Sequence, residues 1–520
     1  MKYIQNSFFR LVCLALVVVA SFNACTSEFD ELNTSKTQLA SLGKNEYPFL
    51  FSKAQTEASY AFWKYQVAQN LFADLYAQYY ATTATYFPSD RNVIRMDWMQ
   101  WHWRPIYTDC MPQLKVLLNE TEAGSAENAL ASIMWVYAFH RVTDYYGPIP
   151  YFKAGEALPS IPYDAQDKIY DDFFKRLDAA TKVLAGKTSE KPYGNFDLIY
   201  KGDVSKWIKF ANSLRLRLAV RISNVDAARA KSEAEAALAG GVMTTTGDDA
   251  LMFKTEAGTD VNGLSGISVW NEFRMSASME SVLKGYGDPR IGVYFQPASA
   301  TGTYEGLRNG LSTTQLGDAK NSNNANSNVG SRWVTGAGSA WARVGTTGQN
   351  ILHAAEVYFL RAEGALKGWN MGGAAGDLYN KGIEASMNQW GIADAAAINA
   401  YVNSDKKPIA PDDALNSPAV SDTPIKWSSD AAVQKAQIAT QKWLALFPDG
   451  IEAWADMRRS KLPKLYPVVN SDNGDIPAGE RPRRIPFIDY EKNTNKDAVD
   501  AAVGLLGGPD KATTPLWWDK

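Results

Sequence analysis

The sequence is poor in the residues that build covalent or metal-held scaffolds, with three cysteines and three histidines in 520 residues. A disulfide framework is therefore excluded as the source of stability, and the histidines, at 102, 140 and 353, are too scattered for zinc-ligand spacing. Neither charge is in excess, since 53 Lys and Arg stand against 56 Asp and Glu. No basic block interrupts that balance, which argues against a nucleic-acid partner. No later stretch offers the ~20 consecutive apolar residues that a helix needs to cross ~30 Å of hydrocarbon. What is present is ordinary globular composition, 46% hydrophobic and 21% charged, enough to bury a sizeable core. The length allows about three domains or one large helical unit.

The first 25 residues differ in kind. Lys2 and Arg10 precede an apolar run from Leu11 to Ala20, followed by Ser21-Phe22-Asn23-Ala24-Cys25, the pattern of a secretory signal. A small residue directly before Cys resembles the bacterial lipoprotein box, which makes Cys25 the expected lipidation site; the alternative is an ordinary signal peptide with a chance cysteine. With residues 1–24 removed, Cys13 is lost and Cys110 is the only other thiol, so no intramolecular disulfide can form. Lipid, not charge, then holds the protein to a membrane.

Helical spacing dominates the rest. Ala131, Trp135, Ala138, Val142 and Tyr145 step by threes and fours up to a stop at Gly147-Pro148. Asp164 is then expected to cap a second helix striped by Ile169, Phe173, Leu177, Ala180 and Leu184. Similar pairs follow from Trp207, from Ile351 and from about Ala431, the last broken at Pro448-Asp449-Gly450. Four such pairs predict a tetratricopeptide-like array of irregular period. A long helical stretch from about Tyr47 to Tyr80 is expected before them.

Between the second and third pairs, Val242 to Asn350 is Gly- and Asn-rich and carries no visible helical period. Such an insertion is a functional loop system or a disordered one. The expected architecture is thus all-α dominated: a helix-pair scaffold carrying a loop-rich, mostly irregular second lobe.

Several segments, taken in order, are similar to the SusD/RagB family of Bacteroidetes outer-membrane lipoproteins. They include Phe29-Asp30-Glu31-Leu32-Asn33 in an acidic leader, Arg141-Val142-Thr143-Asp144-Tyr145-Tyr146-Gly147-Pro148, and Asn212-Ser213-Leu214-Arg215-Leu216-Arg217. Gly287-Asp288-Pro289-Arg290, Glu452-Ala453-Trp454-Ala455-Asp456-Met457-Arg458-Arg459, and Leu505-Leu506-Gly507-Gly508-Pro509-Asp510 continue the match. The resemblance implies a SusD-like fold, a lipid anchor in the outer membrane facing the cell exterior, and a SusC-like TonB-dependent transporter as partner. It also implies capture of glycan or sometimes peptide, with no cofactor. The chain divides accordingly into a signal peptide (1–24), a lipidated tether (25–45), a first helical part (46–241), a loop-rich ligand-binding insertion (242–350) and the last repeat pairs with an irregular tail (351–520).

Signature residues on helices, such as Asn212, Arg215, Arg217, Arg458 and Arg459, are expected to tie repeat to repeat through charge-assisted bonds. Trp135, Trp207, Trp369, Trp390, Trp443 and Trp454 lie on apolar stripes and are expected in the core. Ligand contact is sought among aromatics outside the stripes, because a sugar offers apolar C–H faces with a polar rim. Two stretches combine aromatics with polar partners: Tyr86 to Asn92 leading into Trp98, Trp101 and Trp103, and the stretch holding Tyr304, Arg332-Trp333 and Trp341-Ala342-Arg343. Trp98, Trp333 and Trp341 are the expected stacking platforms, with Tyr86 beside them and Arg91, Asn92 and Arg343 as polar partners. Each is equally open to a packing role beneath the loops.

An enzyme finds little footing. No His-x-x-x-His zinc arrangement, Gly-x-Ser-x-Gly elbow or phosphate-cradling loop is present, and Asp472, Asn473 and Asp475 lack EF-hand spacing. A glycoside hydrolase stays open only because carboxylate pairs are spatial, beyond the reach of sequence. The expectation is a non-catalytic surface lipoprotein that captures oligosaccharide, with an oligopeptide-capturing relative and a surface or periplasmic glycoside hydrolase as alternatives.

Overall fold

A computed structural model of the chain describes residues 43–254, 261–335 and 347–520. Residues 1–49 and 50–520 are two compact units; apart from the start of helix Tyr47–Ala58, the elements below belong to the second. Eight helices make the four expected pairs: α1 (Ala126–Tyr146) with α2 (Gln166–Ala185), α3 (Val204–Arg221) with α4 (Ala227–Ala239), α5 (Ala354–Leu366) with α6 (Ala375–Gln389), and α7 (Ala431–Leu446) with α8 (Gly450–Ser460). The pairs stack on one another through α2 against α3, α3 against α5, and α5 against α7. The six stripe tryptophans are all buried.

Local chemistry sets the helix ends. Ser125 Oγ accepts from Asn128 N at 3.1 Å, and Asp203, Asp226, Asp430 and Asp449 cap α3, α4, α7 and α8 in the same way. α1 stops at Gly147, whose φ of 86° suits a residue without Cβ. Asp164 departs from expectation. Its carboxylate turns back to accept from the N–H groups of Tyr151 and Phe152 at 3.0 and 2.8 Å, which shapes the connection, and α2 begins beyond it without a side-chain cap.

Charge pairs lock the stack. The Arg217 guanidinium of α3 forms a two-pronged bond to Glu356 of α5, both contacts 2.7 Å. Arg459 of α8 does the same to Glu363 of α5, and Lys442 of α7 joins Asp456 and Glu363 at 2.8 and 3.2 Å. Arg141 of α1 reaches Asp449 at 3.1 Å, and Arg215 spans from Glu233 to Asp178 of α2. These pairs are buried, apart from the half-exposed outer ends around Arg215. Their attraction offsets desolvation because the facing carboxylate oxygens are bonded, although Arg217 Nη1 and Arg141 Nε form no bond among the described residues. The neighbouring Arg459 and Lys442 hold the Glu363 carboxyl down to about 2 against the effect of burial.

The expected helix from Tyr47 to Tyr80 is broken. Helix Tyr47–Ala58 ends at a left-handed Tyr60 (φ 52°) and Phe62 (φ 52°), a wide-turn helix covers Gln66–Asp74, and Tyr80 opens strand β1 (Tyr80–Thr82). β1 runs antiparallel to β3 (Phe273–Met275), pairing Tyr80 with Met275 and Thr82 with Phe273. A second ribbon joins β2 (Ala250–Met252) to β4 (Gln349–Leu352). The stretch from 242 to 350 is more regular than its composition implied, since it also holds helix Ala277–Tyr286. Its Asn-rich run is held by amide-to-carbonyl bonds: Asn321 to Gln315, Asn323 to Asn271, and Asn326 to Lys320 and Ser322, all within 3.0 Å.

Buried carboxylates give the fold a pH dependence: burial raises Asp74 and Asp90, and also Glu280 and Glu452. Asp74 accepts from Gln69 Nε2 and Tyr65 Oη at 3.0 and 3.1 Å, with no cation bonded to it among the described residues. Burial lifts its pKa to about 7, and Asp90 shifts the same way, to about 6. Because the folded values lie above the ~3.9 of an unfolded Asp, this stabilisation is complete below about pH 4 and is lost as pH rises through 6 to 7. Glu363, shifted down to about 2, changes only in stronger acid. The urea midpoint is expected to fall between pH 5 and pH 8, and Asp74→Asn to flatten that fall; an unchanged slope in the variant contradicts the assignment.

Candidate ligand-binding face

The ribbon of β1 and β3 ends in a polar knot on the surface. The carbonyl of Glu272 accepts from the N–H groups of Thr83 and Ala84 at 3.0 and 3.3 Å and from Thr82 Oγ1 at 3.1 Å. This fixes the Glu272 backbone. Its carboxylate then receives Tyr86 Oη on one oxygen and Gln66 Nε2, at 2.6 Å, on the other. That bond to Glu272 raises the Tyr86 phenol to about 12, so the ring stays neutral throughout the physiological range.

Two large rings are exposed here, Tyr86, bonded to this carboxylate, and Trp270, two residues before Glu272 in the chain. Tyr86 is 65% exposed and Trp270 39% exposed, both high for side chains of such apolar area. Trp270 is backed by Phe62, ring centres 6.2 Å apart. Tyr86 meets Phe87 edge-on at 4.7 Å, and Phe87 in turn meets Trp98 at 5.6 Å. The Arg95 guanidinium lies 4.6 Å over the half-buried Trp98 and pairs with Asp97 through bonds of 2.9 and 2.6 Å. The result is a set of flat apolar faces interleaved with a carboxylate, an amide and a guanidinium. That mixture can stack on the C–H face of a sugar and bond its hydroxyl rim.

A close approach underneath holds the rings. Helix Gly263–Ser268 packs against Phe62 and Tyr65 so tightly that a Cβ on Gly263 would lie 2.4 Å from Tyr65 Cβ. Gly263→Ala is expected to cost about 1–3 kcal/mol through overpacking, read as a lower thermal midpoint. An unchanged midpoint would show that the two backbones separate freely.

The expected site residues divide. Tyr86 and Trp98 reach solvent on this face. Arg91 and Asn92 do not: Arg91 is buried, bonding Asp472 at 2.6 Å, and Asn92, in a left-handed turn (φ 65°), donates to Ser471 Oγ and the Glu480 carbonyl, both 3.1 Å. Together they clamp the 471–480 segment, which also occupies Asp472 and Asn473. Trp333 is corrected too. It is 2% exposed, wedged between Trp390 and Phe447 at 5.7 and 5.8 Å, so no face is left for stacking. Trp341, Arg343 and the lipidation candidate Cys25 lie outside the described residues.

Trp270, Glu272, Gln66 and Arg95 escaped the sequence reading. The signal was there for Trp270, an aromatic outside any helical stripe and followed by Asn271. For Glu272 and Gln66 nothing local marked them, because their meeting depends on a ribbon between residues nearly two hundred positions apart. Among the described residues no cluster of three His, Cys, Asp or Glu could hold a metal, and no helix is long and apolar enough to cross a membrane.

Comparison with known proteins agrees with this architecture. A chitin-binding SusD homolog from Flavobacterium johnsoniae is 35% identical, with TM-score 0.83 over 92% of this chain and 99% of that one. A SusD-like protein from Bacteroides thetaiotaomicron is 32% identical, with TM-score 0.82 over 91% and 98%, and a homolog from Bacteroides vulgatus is 32% identical, with TM-score 0.80 over 92% and 98%. No curated protein sequence matches. The SusD-like pattern, described as Susd and RagB outer membrane lipoprotein, fits residues 29–519, and the chain belongs to that family.

Proposed function

We propose that the protein is a non-catalytic receptor that captures an oligosaccharide at the outer membrane and delivers it to a SusC-like TonB-dependent transporter. In this reading residues 1–24 are the export signal, Cys25 carries the lipid, residues 25–45 are the tether, and the body faces the cell exterior. The observation that carries it is the pair of exposed rings, Tyr86, bonded to the fixed carboxylate of Glu272, and Trp270, two residues before it in the chain. Such a surface loses little by binding a ring with one apolar face and many hydroxyls.

Two further observations support it. The Flavobacterium johnsoniae homolog is described as chitin-binding, as is another solved relative at 30% identity, which makes polymers of N-acetylglucosamine the first ligands to try. The carboxylates whose pKa values burial raises most, Asp74, Asp90, Glu280 and Glu452, are all buried and bonded to scaffold donors. That favours capture over hydrolysis.

The test is calorimetric titration of protein lacking residues 1–25 with hexasaccharides of chitin, cellulose, xylan and starch type and with a peptide mixture, followed by recovery of the ligand. Binding of one saccharide class, recovered at full length, is expected. In membrane extracts the tagged full chain is expected to bring down a large β-barrel protein. Binding of peptide alone would overturn the ligand, and shortened sugar the absence of catalysis.

A further inference from the structure

A second groove lies at the far end of the helix that carries Trp98. That helix, Met96–Arg104, has Trp98 in its first turn and Arg104 at its last position, about 9 Å further along its axis. The Trp–Arg pairing of the first face recurs there, with the Arg104 guanidinium 5.2 Å over Trp101. Beyond it opens a cavity of about 400 Å³, within the range of small-ligand sites.

Its chemistry repeats that of the first face. The floor is aromatic: Trp103 and Tyr107 stack at 4.4 Å, with planes 23° apart, and the Tyr107 hydroxyl is spent on the Pro150 carbonyl at 2.7 Å. At the mouth stands Tyr490, 58% exposed, beside Leu158, also exposed. The polar groups there are only partly used. Glu491 takes Tyr163 Oη and Asn495 Nδ2 at 3.1 and 3.2 Å, both on Oε2, while no bond to Oε1 is formed by the described residues. Arg104 is exposed and makes no ion pair among the described residues. One cation and one carboxylate cancel, so the occupant this groove suits has no net charge, one apolar face and hydroxyls at its edge.

From this we propose that the groove lined by Trp103, Tyr107, Leu158, Tyr490, Arg104 and Glu491 is a second saccharide-binding site for a neutral sugar. It rests on the reading of the first face as a saccharide site, but it needs none of that face's residues. Tyr490 stacks on the sugar ring, Arg104 donates to hydroxyl oxygens, and Glu491 Oε1 accepts from a hydroxyl.

The experiment disables the first face. The Tyr86→Ala/Trp270→Ala protein, checked by circular dichroism for retained helix, is titrated with the saccharide that the unaltered protein binds from the hexasaccharide panel. Weak binding is expected to remain and to fall at least tenfold on adding Tyr490→Ala, with Arg104→Ala giving a smaller loss. No remaining binding in the first-face variant, or remaining binding that ignores both added substitutions, overturns the second site and leaves the first intact. Silence of the unaltered protein toward every saccharide overturns both.

Discussion

Replacing Arg217 with Met is expected to lower stability by about 3–5 kcal/mol, the range for a buried ion pair deprived of one member. Arg217 holds both oxygens of Glu356 at 2.7 Å and stands 3.6 Å from Glu452, with all three side chains almost fully enclosed. Removing it leaves the Glu356 carboxylate buried without its bidentate partner, whereas Glu452 retains Arg221. The damage therefore belongs mostly to the stranded charge. Arg217→Met combined with Glu356→Met should recover more than half of the loss, because two apolar chains of similar length need no partner. Urea unfolding of the two variants decides it. If the double variant is as unstable as the single one, packing and not charge is what Arg217 supplies.

Trp270→Ala is expected to weaken saccharide binding by about 2 kcal/mol, close to thirtyfold, as for an aromatic anchor at the centre of a contact. Its ring is exposed and, among the described residues, makes one ring contact, to Phe62, so the thermal midpoint should hardly move. Trp333→Ala should behave in the opposite way. Its buried ring fills the space between Trp390 and Phe447, and truncation should cost about 3–5 kcal/mol of stability through the cavity left behind. Paired titration and melting curves separate the roles: affinity lost with the fold intact at Trp270, fold weakened at Trp333. If Trp270→Ala binds sugar unchanged, the exposed ring is only a surface aromatic.

The contrast between those two tryptophans shows what could be read before the structure. The helix pairs were legible because their stripes, such as Ile169, Phe173 and Leu177, repeat a single apolar face. The helix Ala277–Tyr286 was not, since its buried positions include Ser278, Glu280 and Ser281. Its polar groups are bonded inside the protein, Ser281 to the Ile409 carbonyl and Glu280 to the Gly306 N–H at 2.6 Å, so no polar face advertises the period. The break after Ala58 was equally silent, because Tyr60 and Phe62 adopt left-handed backbone without a Gly or Pro to signal it. At the site, off-stripe aromatics were the right class to search. Loop composition alone could not say which were exposed, since these loops bury Trp333 while leaving Trp270 open.

The most direct test of the central claim is a crystal structure of the protein with the tightest-binding hexasaccharide. The account predicts a sugar ring stacked on Trp270 or Tyr86 with a hydroxyl bonded to the Glu272 carboxylate. Sugar bound elsewhere, with Tyr86 and Trp270 still bare, would contradict it.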